Sequence, residues 1–239
     1  MTTTLTPAVS ECIDAVTSTF SSVFGQIDVW RGSIHDLADS EHGILSVDAV
    51  DELVEHLVLA DLSTPSSLVI GAGFVATPGY LRDSHWHLAW WLGKANTFGV
   101  GSDTPSVRRL EAEENGDSEN FRDYTALEWW RVPAVSGVPH ITGPYVDYLC
   151  TDEYTLTLTA PVEHDGSMIG VVGADLYVDD IERTLLPRVR AIGRATILNA
   201  SRRVVVSTDP HRPTGSIMRP TEGETVLPCG DTSLVLVLD

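Results

Sequence analysis

The chain has 239 residues, 43% hydrophobic and 21% charged, a globular balance that suits one large domain or two small ones. Its formal net charge of −19 argues against direct nucleic-acid binding and favours cationic ligands, although solubility alone explains most acidic surfaces. The sequence has no signal-peptide pattern, no apolar run near the ~20 residues that span a bilayer, and no C-x-x-C among Cys12, Cys150 and Cys229. We therefore expect a cytoplasmic, reduced protein that does not enter a membrane.

Two helices are predicted at the start of the chain. Apolar residues recur every three or four positions from Ala8 to about Asp39, which indicates one long amphipathic helix. A second helix is predicted from Val47 to Ala60, with Ser46 as its N-cap. Residues 1–63 are thus predicted to form an N-terminal helical region.

Strands dominate the rest of the chain, and the apolar pattern changes to one suited to a sheet. An Asp-Gly pair within Glu163–Gly166 predicts a tight hairpin between two of the strands. The close spacing of Gly71 and Gly73, without the third glycine of a dinucleotide site, indicates tight strand packing. The predicted strands are Ser67–Ala76, Trp86–Leu92, Gly143–Tyr148, Tyr154–Val162, Ser167–Leu176, Ala195–Asn199, Arg203–Ser207 and Leu234–Leu238.

Two further segments are predicted to be irregular or helical. The stretch Gly99–Glu119 is rich in charge, Gly and Ser, which predicts loops with a short helix over Val107–Ala112. A helix is predicted at Ile181–Val189, broken by Pro187. Helices gathered at the start, followed by strands joined through hairpins, predict an α+β fold with an antiparallel sheet over residues 64–239.

Four blocks in the middle of the chain carry a recognisable pattern: Tyr124–Trp130, Ser136–Asp147, Thr155–Val162 and Gly170–Leu176. In this order and spacing they resemble the Cache family of sensor domains, and the resemblance extends over roughly residues 8–215. It implies a PAS-like antiparallel sheet backed by a long N-terminal helix. It also implies a pocket for small metabolites such as amino acids, amines or carboxylates.

The resemblance assigns the ends of a ligand to particular residues. Trp129 matches the family's pocket tryptophan, Tyr145 matches a pocket tyrosine, and Asp175 matches the aspartate that holds a ligand amino group. Leu127 stands where amino-acid-binding members have an arginine for the ligand carboxylate. The ammonium-binding half is therefore expected to be retained and the carboxylate-binding half lost, which favours an amine or amino-acid-like cation.

Four further residues are candidates for the same pocket. Tyr124 and Trp130 could add aromatic faces around a cation, and Glu128 could supply a second anion. In an extended segment Trp129 and Trp130 would point to opposite sides, so only one of them is expected to line the pocket. His87 would reach the pocket if the sheet curves over it.

These observations favour a stand-alone, non-enzymatic sensor that needs no cofactor. We expect it to dimerise through its long helix and to signal to a separate protein, such as a transcriptional regulator. One alternative is a metal-dependent enzyme built on His85 and His87, which a strand would place on one face, with Asp83 or His140 as a third ligand. Another is a structural dimer whose pocket no longer binds anything.

Overall fold

A computed structural model describes residues 5–98, 106–147 and 151–238. The helices are α1 (Pro7–Ser40), α2 (Val47–Leu62), α3 (Glu128–Ser136) and α4 (Val178–Ile192), with a 3-10 turn at Tyr124–Ala126. The strands are β1 (Val69–Ala76), β2 (Leu88–Leu92), β3 (Arg108–Arg109), β4 (His140–Val146), β5 (Tyr154–His164), β6 (Ser167–Tyr177), β7 (Ala195–Leu198), β8 (Val204–Ser207), β9 (Thr225–Pro228) and β10 (Val235–Leu238).

The long helix α1 is confirmed and runs unbroken for 34 residues. Thr6 caps its first turn by accepting a hydrogen bond from the Val9 backbone N–H, and Pro7 follows in the first helical turn. One side of the helix is buried along its whole length, as the apolar spacing predicts. The residues on that side are Val9, Cys12, Val16, Phe20, Val23, Ile27, Trp30, Ile34 and Ala38.

The strands form two antiparallel sheets. The larger sheet has the strand order β3-β2-β1-β6-β5-β4, and the smaller has β8-β7-β10-β9. Helix α1 packs on β5 and β6, and α2 packs on β1 and β2. The predicted α+β architecture, with a long helix against an antiparallel sheet, is confirmed.

Both faces of the larger sheet are buried. Successive side chains on a strand point to opposite sides of the sheet, so each strand contributes residues to both faces. Phe74 and Trp91 belong to the main core beneath α1 and α2. Their neighbours Val75 and Trp90 belong to a second apolar cluster on the opposite face. The domain boundary at residue 63 stays a prediction, since helices before it and strands after it share the main core.

The predicted hairpin between β5 and β6 is confirmed. Asp165 and Gly166 have φ angles of 49° and 74°, the left-handed conformation that a two-residue turn of this kind requires. The turn and the register shift between Val162 and Glu163 together align the two strands, so that Thr157 faces Asp175 across the pair.

Two predictions about local structure are wrong. The segment around Val107 is not helical: Arg108 and Arg109 pair with the β2 edge, and the Arg109 guanidinium lies over Trp91 and pairs with Asp51. Pro187 does not break its helix either. Helix α4 continues through it because Leu185 and Val189 remain buried against the core on either side.

One strand was missed by the sequence analysis. Strand β9 pairs with β10 at the edge of the smaller sheet, but it is four residues long, mostly exposed, and ends at Pro228. A short exposed edge strand has no alternating apolar pattern to reveal it.

Tight strand packing at Gly73 makes this residue a test of the fold. A β-carbon at Gly73 would lie 2.1 Å from the backbone oxygen of Ala89 on β2. Because that atom cannot move without disturbing the sheet, Gly73→Ala should lower the free energy of unfolding by roughly 1–3 kcal/mol. Urea denaturation of the purified variant measures this change.

Gly25→Ala is the matched control. A β-carbon at Gly25 would meet no atom of the described residues within 4 Å, and the position lies inside α1. The variant should gain about 0.5–1 kcal/mol, because alanine loses less conformational entropy in a helix. Equal effects of the two substitutions would contradict the packing described for Gly73.

Candidate ligand-binding site

A pocket lies on the sheet face opposite α1, in the second apolar cluster. The space between its walls is about 340 Å³ when open solvent is included, and only about 30 Å³ of it could hold the centre of a water molecule, so the lining side chains nearly fill the pocket. Strands β1, β2, β5 and β6, helix α3 and the segment around β3 contribute to its walls. The lining residues are Val75, Leu88, Trp90, Leu110, Trp129, Asp147, Thr157 and Asp175.

The alternation of threonine with apolar residues along β5 builds the polar side of this pocket. Leu156 and Leu158 enter the main core, so Thr157 and Thr159 point to the pocket face. Thr157 donates a hydrogen bond from Oγ1 to the Asp175 carboxylate (2.7 Å), and Thr159 donates to the backbone oxygen of Trp129 (2.7 Å).

Asp175 occupies the floor of the pocket. Its side chain is almost completely buried, with 2% of the residue exposed. Gly71 faces it on β1 and Thr157 faces it on β5, and the absence of a side chain at Gly71 lets Trp90 pack close to the carboxylate. A carboxylate in such a dry place needs hydrogen-bond donors or a cation beside it.

A bulge in β4 brings Tyr145 to the pocket. Thr142 pairs with Thr157 and Tyr145 pairs with Thr155, so β4 has one extra residue at this point. One extra residue turns the following side chains to the opposite face. The Tyr145 hydroxyl consequently lies 2.8 Å from Thr157 Oγ1 and donates to Asp147 Oδ2 at 3.1 Å.

Helix α3 delivers Trp129, and a proline and a threonine together fix its position. Pro133 lacks the N–H that would bond to the backbone oxygen of residue 129. The Thr159 hydroxyl takes that place on the Trp129 oxygen. The expectation of an extended segment at Trp129–Trp130 is therefore wrong, although only Trp129 of the two lines the pocket.

Tyr124 and Trp130 lie outside the pocket lining, behind Trp129. The Tyr124 ring stacks on Trp129 with centroids 6.3 Å apart and approaches Trp130 at 5.1 Å. Its hydroxyl donates to the backbone oxygen of Ala76 (2.6 Å), and burial raises the pKa of this phenol. Both rings support the pocket wall in this structure, and their direct contact with a ligand stays a prediction.

Glu128 also has a different place from the one predicted. Its carboxylate lies 3.0 Å from His140 Nε2 and accepts a weaker hydrogen bond from Ser201. The hydrogen bond to His140 lowers the pKa of Glu128. Glu128 is absent from the lining residues, so it ties α3 to its surroundings and does not form a second anion in the pocket.

His87 forms a buried ion cluster beside the pocket instead of entering it. Its Nε2 lies 2.9 Å from Asp51 of α2 and its Nδ1 lies 3.0 Å from Glu114. Burial opposes protonation, but the two carboxylates outweigh it and raise the pKa of His87 to about 9. Because both ring nitrogens face carboxylates, the imidazolium joins α2 to the segment that carries the pocket residue Leu110.

Several lining residues were missed by the sequence analysis, above all Trp90 and Asp147. Trp90 and Trp129 are 6% and 7% exposed, and neither indole nitrogen has a hydrogen-bond partner among the described residues. An unpaired buried donor costs about 1–3 kcal/mol. Trp90 and Trp91 are neighbours in a predicted strand, so their rings must lie on opposite faces of the sheet. This alternation could have predicted that one of the two rings faces the pocket.

The arrangement that a metal site would need is not present in the described parts of the chain. His85 is exposed, whereas His87 is buried between two carboxylates, and β2 begins only after both. His140 is bonded to Glu128. The one group in those parts whose potential ligand atoms all lie within 4.8 Å of one another is His35, Asp36 and Asp39, all exposed on α1.

The bond between Thr159 and the Trp129 oxygen can be tested by mutation. Thr159→Val keeps the shape of the side chain but leaves the buried oxygen without the hydroxyl. We expect a loss of about 1–3 kcal/mol in the free energy of unfolding, measured by urea denaturation.

Thr155→Val provides a control on the same strand face. The Thr155 hydroxyl donates to the oxygen of Glu153, an exposed residue whose carbonyl can bond to water instead. A stability loss for Thr155→Val as large as that for Thr159→Val would show that threonine loss, and not the helix contact, is responsible.

The His87 cluster predicts a pH-dependent stability. The folded-state pKa of about 9 lies above the ordinary value of 6.5, so the stabilisation is complete below pH 6.5 and is lost as pH rises through 9. Its size is on the order of 3 kcal/mol. Urea denaturation at pH 6, 7.5 and 9.5 should show a steep decline in the wild type and a shallower one in His87→Gln.

His85→Gln, at an exposed position two residues away, serves as the control and should follow the wild-type profile. Parallel profiles of the wild type and His87→Gln would contradict a protonated His87 in the folded state.

Comparisons with known proteins agree with this architecture. Residues 104–183 match the family model of the methyl-accepting chemotaxis protein-like, first PDC sensor domain. No curated protein was found to match the chain by sequence. None of the helices within residues 5–98, 106–147 and 151–238 has the combined length and apolar character of a membrane span.

Solved structures of three chemoreceptor domains have the same fold. The ligand-binding domain of Pseudomonas fluorescens CtaA with L-valine aligns over 95% of this chain and 91% of its own (TM-score 0.60, 17% identity). The ligand-binding domain of Pseudomonas aeruginosa PctC with GABA aligns over 96% of this chain and 95% of its own (TM-score 0.54, 13% identity). The ligand-binding domain of Pseudomonas aeruginosa PctB with L-Arg aligns over 96% of this chain and 91% of its own (TM-score 0.57, 14% identity). The resemblance indicated by the four sequence blocks is therefore confirmed, and the chain has the Cache fold of chemoreceptor sensor domains.

Proposed function

We propose that this protein is a non-enzymatic sensor that binds a small amine or amino-acid-like cation in the pocket above Asp175. The observation that carries the proposal is the presence of two carboxylates, Asp147 and Asp175, in a largely apolar pocket beside the rings of Trp90 and Trp129. An alkylammonium placed between them would donate charge-assisted hydrogen bonds to the carboxylates and contact the faces of the aromatic rings.

The charge of the pocket supports a cationic ligand. Among the lining residues that the structure describes, two are acidic and none is basic. The formal net charge of −19 adds a long-range field that attracts cations and repels anions. An anionic ligand without an amino group would have to overcome both effects.

The ligands of the structural neighbours support the same class. CtaA was crystallised with L-valine, PctC with GABA and PctB with L-Arg, and each of these molecules carries an ammonium group. The chemistry of the lining also favours binding over catalysis. Thr157 supplies a hydroxyl that donates to Asp175 and lies 2.8 Å from the Tyr145 hydroxyl, with no histidine or cysteine among the described lining residues to activate it.

Signalling requires a second protein in this proposal. The chain would dimerise along the side of α1 that does not pack on the sheet, where Val29 is 65% exposed, and would pass its ligand state to a separate regulator. A cytoplasmic location and the absence of direct nucleic-acid binding remain parts of the proposal. Light scattering of the purified protein tests the dimer, and fractionation of cells tests the location.

Thermal denaturation with a panel of amines, amino acids and short carboxylates tests the ligand class. A ligand of the proposed kind at about 100 times its Kd should raise the Tm by roughly 5–10 °C, since it binds only the folded state. Asp175→Asn should remove most of this shift, because it removes the charge that faces the ammonium. Stabilisation by carboxylates alone, without an amino group, would contradict the proposal.

Asp165→Asn is the matched control for that variant. It makes the same chemical change at the tip of the β5–β6 hairpin, where the side chain is 93% exposed. The control should keep the full ligand-induced shift. An equal loss of the shift in both variants would point to a general charge effect and against a contact at Asp175.

A further inference from the structure

The pocket contains a second kind of recognition group besides its carboxylates. Trp90 and Trp129 both line it, and both of their indole N–H groups are buried without an acceptor among the described residues. Trp90 belongs to β2 and Trp129 to α3, so strain in a single element does not explain why both N–H groups lack an acceptor. A protein interior rarely leaves two such donors unpaired in one place.

Gly71 locates one of these donors relative to the acidic floor. A β-carbon on Gly71 would lie 2.9 Å from Trp90 Nε1 and 3.4 Å from Asp175 Oδ2. The donor and the carboxylate therefore both lie against Gly71, where the packing leaves no room even for a β-carbon unless Trp90 shifts. A ligand whose ammonium meets Asp175 would bring its neighbouring atoms next to the Trp90 N–H.

Both indole N–H groups are uncharged donors, and this property determines which kind of ligand oxygen they can bind in an acidic pocket. A ligand carboxylate would lie close to Asp147 and Asp175 with no positive side chain among the described lining residues to offset the repulsion. A hydroxyl or amide oxygen accepts an indole N–H bond without adding negative charge. It also satisfies a donor that is otherwise unpaired.

We infer that Trp90, together with Trp129, reads an uncharged oxygen next to the ligand's ammonium group, so that the pocket prefers an amino alcohol or an amino-acid amide. The inference rests on the proposed function and specifies the chemical class of its ligand. Both indole nitrogens are covered by neighbouring atoms in this structure. Ligand entry therefore has to displace a ring or the Leu110 segment that closes the pocket.

A series of compounds with one skeleton tests this preference. Isothermal titration calorimetry at pH 6.5 compares isobutylamine, L-valinol, L-valinamide and L-valine, which differ only in one substituent on the ammonium-bearing carbon: hydrogen, hydroxymethyl, carboxamide or carboxylate. The corresponding series from ethylamine to L-alanine controls for size. We expect the alcohol and the amide to bind about tenfold more tightly than the simple amine, and more tightly than the amino acid.

Trp90→Phe removes the N–H and keeps an aromatic ring, so it should reduce this tenfold preference to less than about threefold. Trp91→Phe is the matched control, because Trp91 faces the main core on the other side of the sheet; it should keep the preference. Trp129→Phe provides a second pocket variant should Trp90→Phe fail to fold.

NMR spectroscopy tests the same contact in the wild-type protein, whose pocket carries no substitution. The chain has six tryptophans. In ¹⁵N–¹H spectra the two indole signals of Trp90 and Trp129 should move downfield with L-valinol and stay nearly unchanged with isobutylamine. Assignment uses the three phenylalanine variants.

The outcomes separate this inference from the proposed function. Equal binding of isobutylamine and L-valinol would overturn the inference and leave a simple amine sensor. Tighter binding of L-valine than of L-valinamide would overturn the preference for an uncharged oxygen. Failure of the wild type to bind any compound of either series would contradict the proposed function itself.

Discussion

Burial of both faces of the six-stranded sheet is the constraint on which the rest of the structure depends. Helices α1 and α2 cover one face, and α3 with the segment around β3 covers the other. A polar group on either face consequently has to find its partner inside the protein. Thr157 meets Asp175, Thr159 meets the Trp129 oxygen, and Tyr145 meets Asp147. The hydrogen bonds among the polar residues of the pocket thus offset the free-energy cost of burying them.

Two departures from regular structure produce the pocket from this sheet. The bulge in β4 turns Tyr145 to the pocket face, and Pro133 frees the backbone oxygen by which Thr159 holds α3. Each irregularity is compensated by a side chain of β5. The 11-residue strand β5, which lies between β6 and β4, therefore carries the partners for the irregular elements beside it.

Local patterns were sufficient to predict much of the fold. The helix periodicity of α1, the Ser46 cap of α2 and the Asp-Gly turn each depend on neighbouring residues, and all three are confirmed. The short helix expected near Val107 is wrong because a distant residue, Asp51, fixes Arg109 in an extended edge. An ion pair between residues that are far apart in the sequence leaves no local pattern from which it could be predicted.

The site was predictable in outline and not in detail. The four sequence blocks lead to the region that contains this pocket, and Asp175 and Trp129 line it. His87 and Glu128 were grouped with it because a charged residue near a binding motif resembles a ligand contact. Each instead forms an ion pair that holds the surroundings together. Sequence alone gives no means of separating these roles, because the difference lies in which partner each side chain meets in three dimensions.

Asp175 lies three residues before the first residue of α4. Helix α4 packs along α1, and Arg188 approaches Glu11 to 3.5 Å across that contact. Strand β6 and α4 are one continuous piece of chain, without a flexible loop between them. A shift of the pocket floor would therefore act directly on α4, and through it on α1, the longest helix among the described residues.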